Sequence, residues 1–229
     1  DQSLVNCAQP VAELTSAMLR ARDRNFSLCL YGPPGTGKSA YARYLAASLG
    51  MEVLVRRASD LLGMFVGQSE HNIAAMFAEA VDRKAFLIVD EADSLLRERG
   101  AANHSWEVTQ VNEMLTWMEQ HPLPYAFTTN LMDGLDRAAM RRFTFKARFD
   151  YLLPGQTIHA FRHFLHAEPP AEITRLDRLT PGDFRVVKAR AEILEISDPQ
   201  RLLNMLREEV ALKRDGAARA IGFAPAVQQ

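Results

Sequence analysis

Eight consecutive residues combine three glycines with a lysine and a serine in an order suited to binding phosphate groups. They follow the apolar run 26–31 and precede a helical pattern over 38–49, which is the context that such a loop requires. Glycines let backbone N–H groups turn inward, and the start of the helix adds the positive end of its dipole. Lys38 is then placed to contact the β- and γ-phosphates, and the Ser39 hydroxyl to bind Mg²⁺. We therefore predict an ATP-binding loop formed by Gly32, Pro33, Pro34, Gly35, Thr36, Gly37, Lys38 and Ser39.

A pair of acids follows the apolar strand predicted at 85–89. Asp90 comes directly after the strand, where we expect it to complete the Mg²⁺ coordination shell through water. Glu91 is placed to polarise an attacking water as the general base. Asp93 is expected to have a structural or helix-capping role. An acidic strand end is commonly just solvated, but its position one strand after a phosphate-binding loop favours the catalytic interpretation.

Strand and helix patterns alternate along the first part of the chain, which indicates an open parallel α/β sheet. Apolar runs predict four strands, at 26–31, 51–55, 85–89 and 125–129. The segment 143–149 instead alternates apolar and polar residues, the period of a half-buried strand. After Asp150 only helical patterns occur. We therefore expect an α/β P-loop nucleotide-binding domain with a parallel sheet over 1–153, followed by a small all-helical domain over 154–229.

The composition excludes several classes of protein. The 229 residues include 27 Lys and Arg and 28 Asp and Glu, so the net charge of −1 argues against a strongly basic nucleic-acid-binding protein. The two cysteines, Cys7 and Cys29, cannot by themselves build a disulfide framework or a zinc site, and they favour a reducing compartment. No apolar stretch approaches the ~18 residues that a membrane span requires. We expect a cytoplasmic protein without a membrane partner.

Taken in order, these motifs resemble those of the AAA family of ATPases, a branch of the P-loop NTPases. GPPGTGKS resembles the family's Walker A motif, and LIVDEAD, which contains Asp90 and Glu91, resembles its Walker B motif. Thr128-Thr129-Asn130 follows the next strand, where the family places sensor 1, and 135–143 is similar to its second region of homology. The resemblance covers roughly residues 25–200. It implies an α/β nucleotide-binding domain, a small helical lid and a ring oligomer, usually a hexamer.

The resemblance also implies roles for polar residues outside the two Walker motifs. Asn130 is expected to hold the attacking water or the γ-phosphate. Arg141 and Arg142 are expected to reach the ATP of a neighbouring subunit and stabilise charge in the transition state. Many family members separate these two arginines by two residues, so which of the adjacent pair is the principal finger stays open, and two surface charges are the alternative. Arg185 lies where some members carry a sensor 2 arginine, and a simple exposed helix residue is equally compatible with its position.

A short apolar loop precedes the helical pattern that begins at Ser69. It places Met64, Phe65 and Val66 between two glycines, where exposed apolar side chains indicate a contact surface. The family places its central-pore loop here, so the resemblance implies that these three residues grip an extended polypeptide. The alternative is that Phe65 packs onto its own domain. The polar stretch 97–104, near the position of a second pore-facing loop, is expected to be a solvated loop.

The expected function is Mg²⁺-dependent hydrolysis of ATP to ADP by a homo-oligomeric, hexameric ring that remodels, unfolds or threads protein substrates through a central pore. Its expected partners are other copies of the chain and a protein substrate or adaptor. One alternative is a nucleic-acid-linked motor or loader, which the aromatic loop and the balanced charge disfavour. The other is a nucleotide-gated scaffold that hydrolyses little ATP, which Glu91 and Asn130 disfavour.

Overall fold

The chain divides after Asp150 into two compact units. The computed structural model describes residues 2–63, 65, 67–96, 105–131 and 135–218. Within these ranges the first unit contains a sheet with helices, and the second contains helices only. No helix in the described ranges combines the length and the apolar character needed to cross a bilayer.

The first unit is built on a six-stranded sheet. Its strands are β1 (Asn6–Cys7), β2 (Ser27–Tyr31), β3 (Val53–Arg57), β4 (Phe86–Asp90), β5 (Tyr125–Thr129) and β6 (Phe145–Asp150). They lie in the order β1-β6-β2-β5-β4-β3, in which β2 to β6 are parallel and β1 runs antiparallel to β6. The predicted α/β fold is confirmed, with the addition of an antiparallel edge strand too short to show a period in the sequence.

Helices cover both faces of this sheet. They are α1 (Val11–Arg20), α2 (Lys38–Ser48), α3 (Ala58–Leu61), α4 (Gln68–Asp82), α5 (Asp93–Leu96), α6 (Ser105–Gln120) and α7 (Arg137–Arg142). Phe86 and Ile88 of β4 belong to the core that includes buried residues of α1 and α2. Leu87 and Val89 belong to the core that includes buried residues of α4 and α6. This alternation in a strand buried on both faces explains why its sequence is continuously apolar.

The carboxyl ends of three parallel strands lie side by side at one edge of the sheet. β2 ends at Tyr31, β4 at Asp90 and β5 at Thr129. Since β5 pairs with both β2 and β4, it brings the two other strand ends to its flanks. The loop 32–37 therefore begins beside Asn130, although the two are far apart in the chain.

The second unit contains α8 (Pro154–Leu165), a 3-10 segment at Ala171–Arg175, α9 (Pro181–Ile193) and α10 (Pro199–Ala218). α9 begins with a capping box, in which the Thr180 N–H and hydroxyl both donate to Asp183 Oδ2, at 2.7 and 2.9 Å. The same oxygen accepts from Lys213 Nζ of α10 at 2.6 Å. One buried carboxylate thus caps α9 and joins it to α10.

Candidate active site

The loop 32–37 joins β2 to α2 and is shaped by two glycines. A Cβ on Gly32 would lie 2.0 Å from the Phe149 carbonyl oxygen, so a side chain does not fit where the loop leaves the sheet. Gly37 precedes α2 with a φ of 99°, in the left-handed region that favours glycine. Thr36 is buried, and its hydroxyl donates to the Pro33 carbonyl oxygen at 2.8 Å. The loop is therefore held at the start of α2, where helical N–H groups lack intrahelical partners and favour an anion.

Lys38 is a buried cation at the first position of α2. Its side chain donates to the carbonyl oxygens of Gly32 and Pro33, each at 2.8 Å, and to Asn130 Oδ1 at 2.9 Å. Burial lowers the pKa of Lys38 to about 8, and the nearby carboxylates of Asp93 and Asp90 oppose this shift. The ammonium group therefore lies inside the loop, next to the predicted sensor 1 residue, where it can pair with phosphate oxygens.

Ser39 and Asp90 form a hydrogen-bonded pair between α2 and the end of β4. Ser39 Oγ donates to Asp90 Oδ1 at 2.7 Å, and Thr128 Oγ1 donates to the same carboxylate oxygen. A hydroxyl and a carboxylate supply the oxygen ligands that Mg²⁺ prefers. Within the described ranges no group of three His, Cys, Asp or Glu side chains could hold a metal ion. Ser39 and Asp90 would therefore hold Mg²⁺ together with phosphate oxygens and water.

Glu91 follows Asp90 in an unusual backbone conformation. Its φ is 55°, a left-handed value that is uncommon for a residue with a side chain, and its N–H donates to Thr128 Oγ1 at 3.2 Å. The side chain is exposed, and its carboxylate makes no hydrogen bond or ion pair with the described part of the chain. A carboxylate at a strand end with no protein partner among the described residues is suited to accept a proton from water.

Asn130 is held at the end of β5 by Asp93, the first residue of α5. Asp93 Oδ1 accepts from the Asn130 N–H at 2.9 Å and from Thr129 Oγ1 at 2.6 Å. The structural role expected for Asp93 agrees with these contacts. Thr128 and Thr129 were not predicted to have roles of their own, although two threonines at the end of an otherwise apolar strand are the signal that points to them.

The two arginines at the end of α7 have different surroundings. Arg142 is half-buried, donates to the Ala138 carbonyl oxygen at 3.0 Å, and forms an ion pair with Glu119 of α6 at 2.8 Å. Arg141 is exposed, and its guanidinium has no hydrogen bond or ion pair with the described residues. Asp136 caps the helix by accepting from the N–H groups of Ala138 and Ala139. The finger role of both arginines stays a prediction, but Arg141 has the freer side chain.

Phe65 is 73% exposed in the loop between α3 and α4. This exposure contradicts the alternative in which Phe65 packs onto its own domain, and it leaves the ring available to a partner. Met64, Val66 and the stretch 97–104 lie outside the described residues. Arg185 is an exposed residue of α9 in the second unit, and its sensor 2 role stays a prediction.

A glycine-rich loop between a parallel strand and a helix, with a lysine, a serine and a strand-end aspartate joined around it, defines a P-loop nucleotide-binding protein. Residues 28–151 match the family model described as ATPase family associated with various cellular activities (AAA), over more than half of the chain. The chain belongs to the AAA family of ATPases, as its motifs predict.

The chain is similar to parts of several longer proteins. The ATP-dependent zinc metalloprotease FtsH 2 of Symbiobacterium thermophilum is 29% identical over 207 residues, covering 81% of this chain and 35% of that protein. The peroxisomal ATPase PEX6 of Arabidopsis thaliana is 34% identical over 149 residues, covering 62% and 15%. Spastin of Drosophila erecta is 35% identical over 125 residues, covering 51% and 16%. The chain thus spans about a third or less of the length of these relatives.

Proposed function

We propose that this chain hydrolyses ATP with Mg²⁺ as part of a homo-oligomeric, hexameric ring, and that the ring remodels, unfolds or threads proteins through its central pore. The observation that carries the proposal is the convergence of Lys38, Ser39, Asp90 and Asn130 at one edge of the sheet. These residues supply a cation, a hydroxyl, a carboxylate and an amide, the set that binding and cleaving a nucleoside triphosphate requires.

Each of these side chains has a task in the proposed hydrolysis. Lys38 and the N–H groups at the start of α2 bind the phosphates, and Ser39 and Asp90 would hold Mg²⁺. When bound, Mg²⁺ neutralises charge on the β- and γ-phosphates. Glu91 accepts a proton from the attacking water, and Asn130 orients the water or the γ-phosphate.

The proposed ring rests on the arginines of α7. Phosphoryl transfer develops negative charge that a cation from a neighbouring subunit can stabilise. Arg141 suits this task because it is exposed and unpaired within the described part of its own chain. Arg142 is already paired with Glu119, so it would have to leave that ion pair to act in the same way.

The proposed protein substrate is supported by Phe65. An aromatic ring that is 73% exposed on a loop provides an apolar contact for an unfolded polypeptide. One relative of this chain, FtsH 2, is named an ATP-dependent zinc metalloprotease, and a protease acts on protein substrates. We also propose a cytoplasmic location, which agrees with two cysteines that are both free thiols.

The test is phosphate release from Mg-ATP with no addition, with casein as an unfolded protein, and with DNA. We expect casein to stimulate turnover and DNA to leave it unchanged. E91Q should bind ATP as wild type does but lose turnover by about 100-fold or more, because the water loses its base. E13Q, the same substitution on the exposed face of α1, should behave as wild type.

The other outcomes distinguish the alternatives. Stimulation by DNA but not by casein would identify a nucleic-acid-linked motor or loader. Tight ATP binding with slow phosphate release under every condition would identify a nucleotide-gated scaffold. Undiminished hydrolysis by E91Q would show that Glu91 is not the base.

A further inference from the structure

Gln110 is a polar side chain in a buried apolar stripe of α6. It lies one turn before Met114 and two turns before Met118, which are both buried, and is itself only 9% exposed. A buried amide costs free energy unless it is hydrogen-bonded. Gln110 Nε2 donates to Ser69 Oγ at 3.0 Å, and Ser69 is 2% exposed in the first turn of α4. This bond explains why an amide is accommodated here, and it joins α6 to the start of α4.

Ser69 Oγ also holds the loop that carries Phe65. It accepts from the Gly63 N–H at 2.9 Å, so one oxygen connects the loop, α4 and α6. Gln68 packs closely against the same part of the loop, since a Cβ on Gly63 would lie 2.5 Å from the Gln68 Cβ. The Phe65 N–H donates to Gln68 Oε1 at 3.4 Å. The start of the loop is therefore bonded to two consecutive residues of α4, and the second of them is held from α6.

The same helix contacts α7 at its other end. Glu119, next to the last residue of α6, forms its ion pair with Arg142, which adjoins Arg141. In its first half, α6 is therefore hydrogen-bonded to Ser69, which holds the loop that carries Phe65. Near its end, α6 forms an ion pair with α7, the helix that carries Arg141 and Arg142.

We infer that Ser69 and Gln110 are positioning residues for the Phe65 loop: through their hydrogen bond, α6 sets the place from which Phe65 contacts an extended polypeptide. This inference rests on the proposed function, which gives Phe65 its substrate. Loss of the bond frees the start of the loop while leaving the phosphate-binding residues bonded as before. The expected effect is weaker capture of polypeptide at nearly unchanged nucleotide chemistry.

The test compares S69A, Q110L and the double variant with wild type, using the 229-residue chain. In S69A the Gly63 N–H loses its acceptor, and its amide hydrogen exchange should accelerate about tenfold. Q110L should give a smaller acceleration, and the double variant should match S69A, because both changes remove the same bond. With casein as the probe, the concentration for half-maximal ATPase stimulation should rise about fivefold, while basal kcat stays within about twofold of wild type.

Two further variants separate positioning from general damage. S69T keeps the hydroxyl and should restore both the Gly63 protection and the casein response. T116V removes an exposed hydrogen bond within α6, from Thr116 to the Asn112 carbonyl oxygen, and should change neither readout. Additive effects of S69A and Q110L on Gly63 exchange, or a wild-type casein response in both variants, would overturn the inference.

The outcome also differs from a failure of the proposed function. If F65A responds to casein as wild type does, the substrate role of the loop is wrong. The Gly63 exchange then still decides whether Ser69 and Gln110 hold the loop from α6.

Discussion

At the scale of single residues, the most important feature of the active site is a buried charge, the ammonium group of Lys38. Lys38 is 6% exposed, and burial lowers its pKa to about 8 even though two carboxylates oppose that shift. An anionic phosphate beside the ammonium would favour its charged form. We therefore expect the attraction between the phosphates and Lys38 to stabilise nucleotide binding, because this cation is already buried before the nucleotide binds.

His121 is a second buried titratable residue, and it predicts acid sensitivity of the fold. It is 3% exposed, its ring lies 5.1 Å from that of Phe77 and 5.7 Å from that of Tyr125, and its Nε2 has no partner in the described part of the chain. Burial lowers the pKa of His121 to about 4, below the value of the unfolded chain. The neutral ring therefore contributes stability above pH 6.5 that is lost as the pH falls towards 4, by roughly 2–3 kcal/mol.

The measurement is the free energy of unfolding in urea at about pH 7.0, 5.5 and 4.5. These values span most of the interval between the pKa values of His121 in the unfolded and folded chain. H121F, which keeps an aromatic ring but cannot be protonated, should lose less stability than wild type over this range. H71Q, which replaces an exposed histidine of α4, should follow wild type. Parallel losses in wild type and H121F would exclude His121 as the cause.

The sequence predicts the polar residues of the site better than their partners. Lys38, Ser39 and Asp90 are recognisable because each stands at a fixed position relative to a strand end or a helix start. Gln110 is not, because its position in an apolar stripe makes sense only with Ser69 beside it, and no local spacing in the sequence relates the two. Contacts between distant elements require the coordinates.

At the scale of elements, long periodic segments are predictable and short ones are not. The pattern at 69–81 predicts most of α4 (Gln68–Asp82), and the apolar run at 85–89 predicts β4 (Phe86–Asp90) within a residue. α3 and α5 have four residues each and β1 has two, too few for a hydrophobic period to show. β6 begins at Phe145, two residues after the predicted start, because α7 extends to Arg142 and is followed by a two-residue connection with a bend.

The junction of α9 and α10 predicts a large effect of a single carboxylate. Asp183 Oδ2 accepts from Thr180 twice and from Lys213, whose Nζ also donates to the Arg178 carbonyl oxygen at 2.9 Å. D183A would leave the half-buried ammonium of Lys213 without its carboxylate partner and the N-terminus of α9 without its cap. We expect it to lower the free energy of unfolding by about 2–4 kcal/mol. Thermal unfolding by circular dichroism, with amide exchange over 180–193, measures the loss.

D198A is the matched control for this change. Asp198 is exposed, and its carboxylate accepts only from the Arg201 N–H at the start of α10 among the contacts described, at 2.8 Å. Its loss should cost about 1 kcal/mol, the usual value for a helix cap. Equal costs for the two variants would mean that the bond to Lys213 contributes nothing to the second unit.

At the scale of the whole molecule, no arginine side chain is hydrogen-bonded to the candidate active-site residues within the described part of the chain. Lys38, Ser39, Asp90, Glu91 and Asn130 all come from the edge of one sheet. Arg141 lies on α7 with a side chain that makes no bond to the described residues. If the site is completed by the arginine of a second copy, activity becomes a property of the interface between subunits, and two inactive variants can complement each other.

Mixing R141A with E91Q tests this arrangement. Each variant alone should be nearly inactive, R141A by about 10³-fold because the transition state loses its cation. In a mixed ring, an R141A subunit keeps Glu91 and can receive Arg141 from an E91Q neighbour. With random equal mixing, about a quarter of the interfaces have that order, so about a quarter of wild-type turnover should return. The mixed oligomers are verified by their size and by a tag on one variant. If they show no more activity than the separate variants, Glu91 and Arg141 act in sites that are completed within one chain.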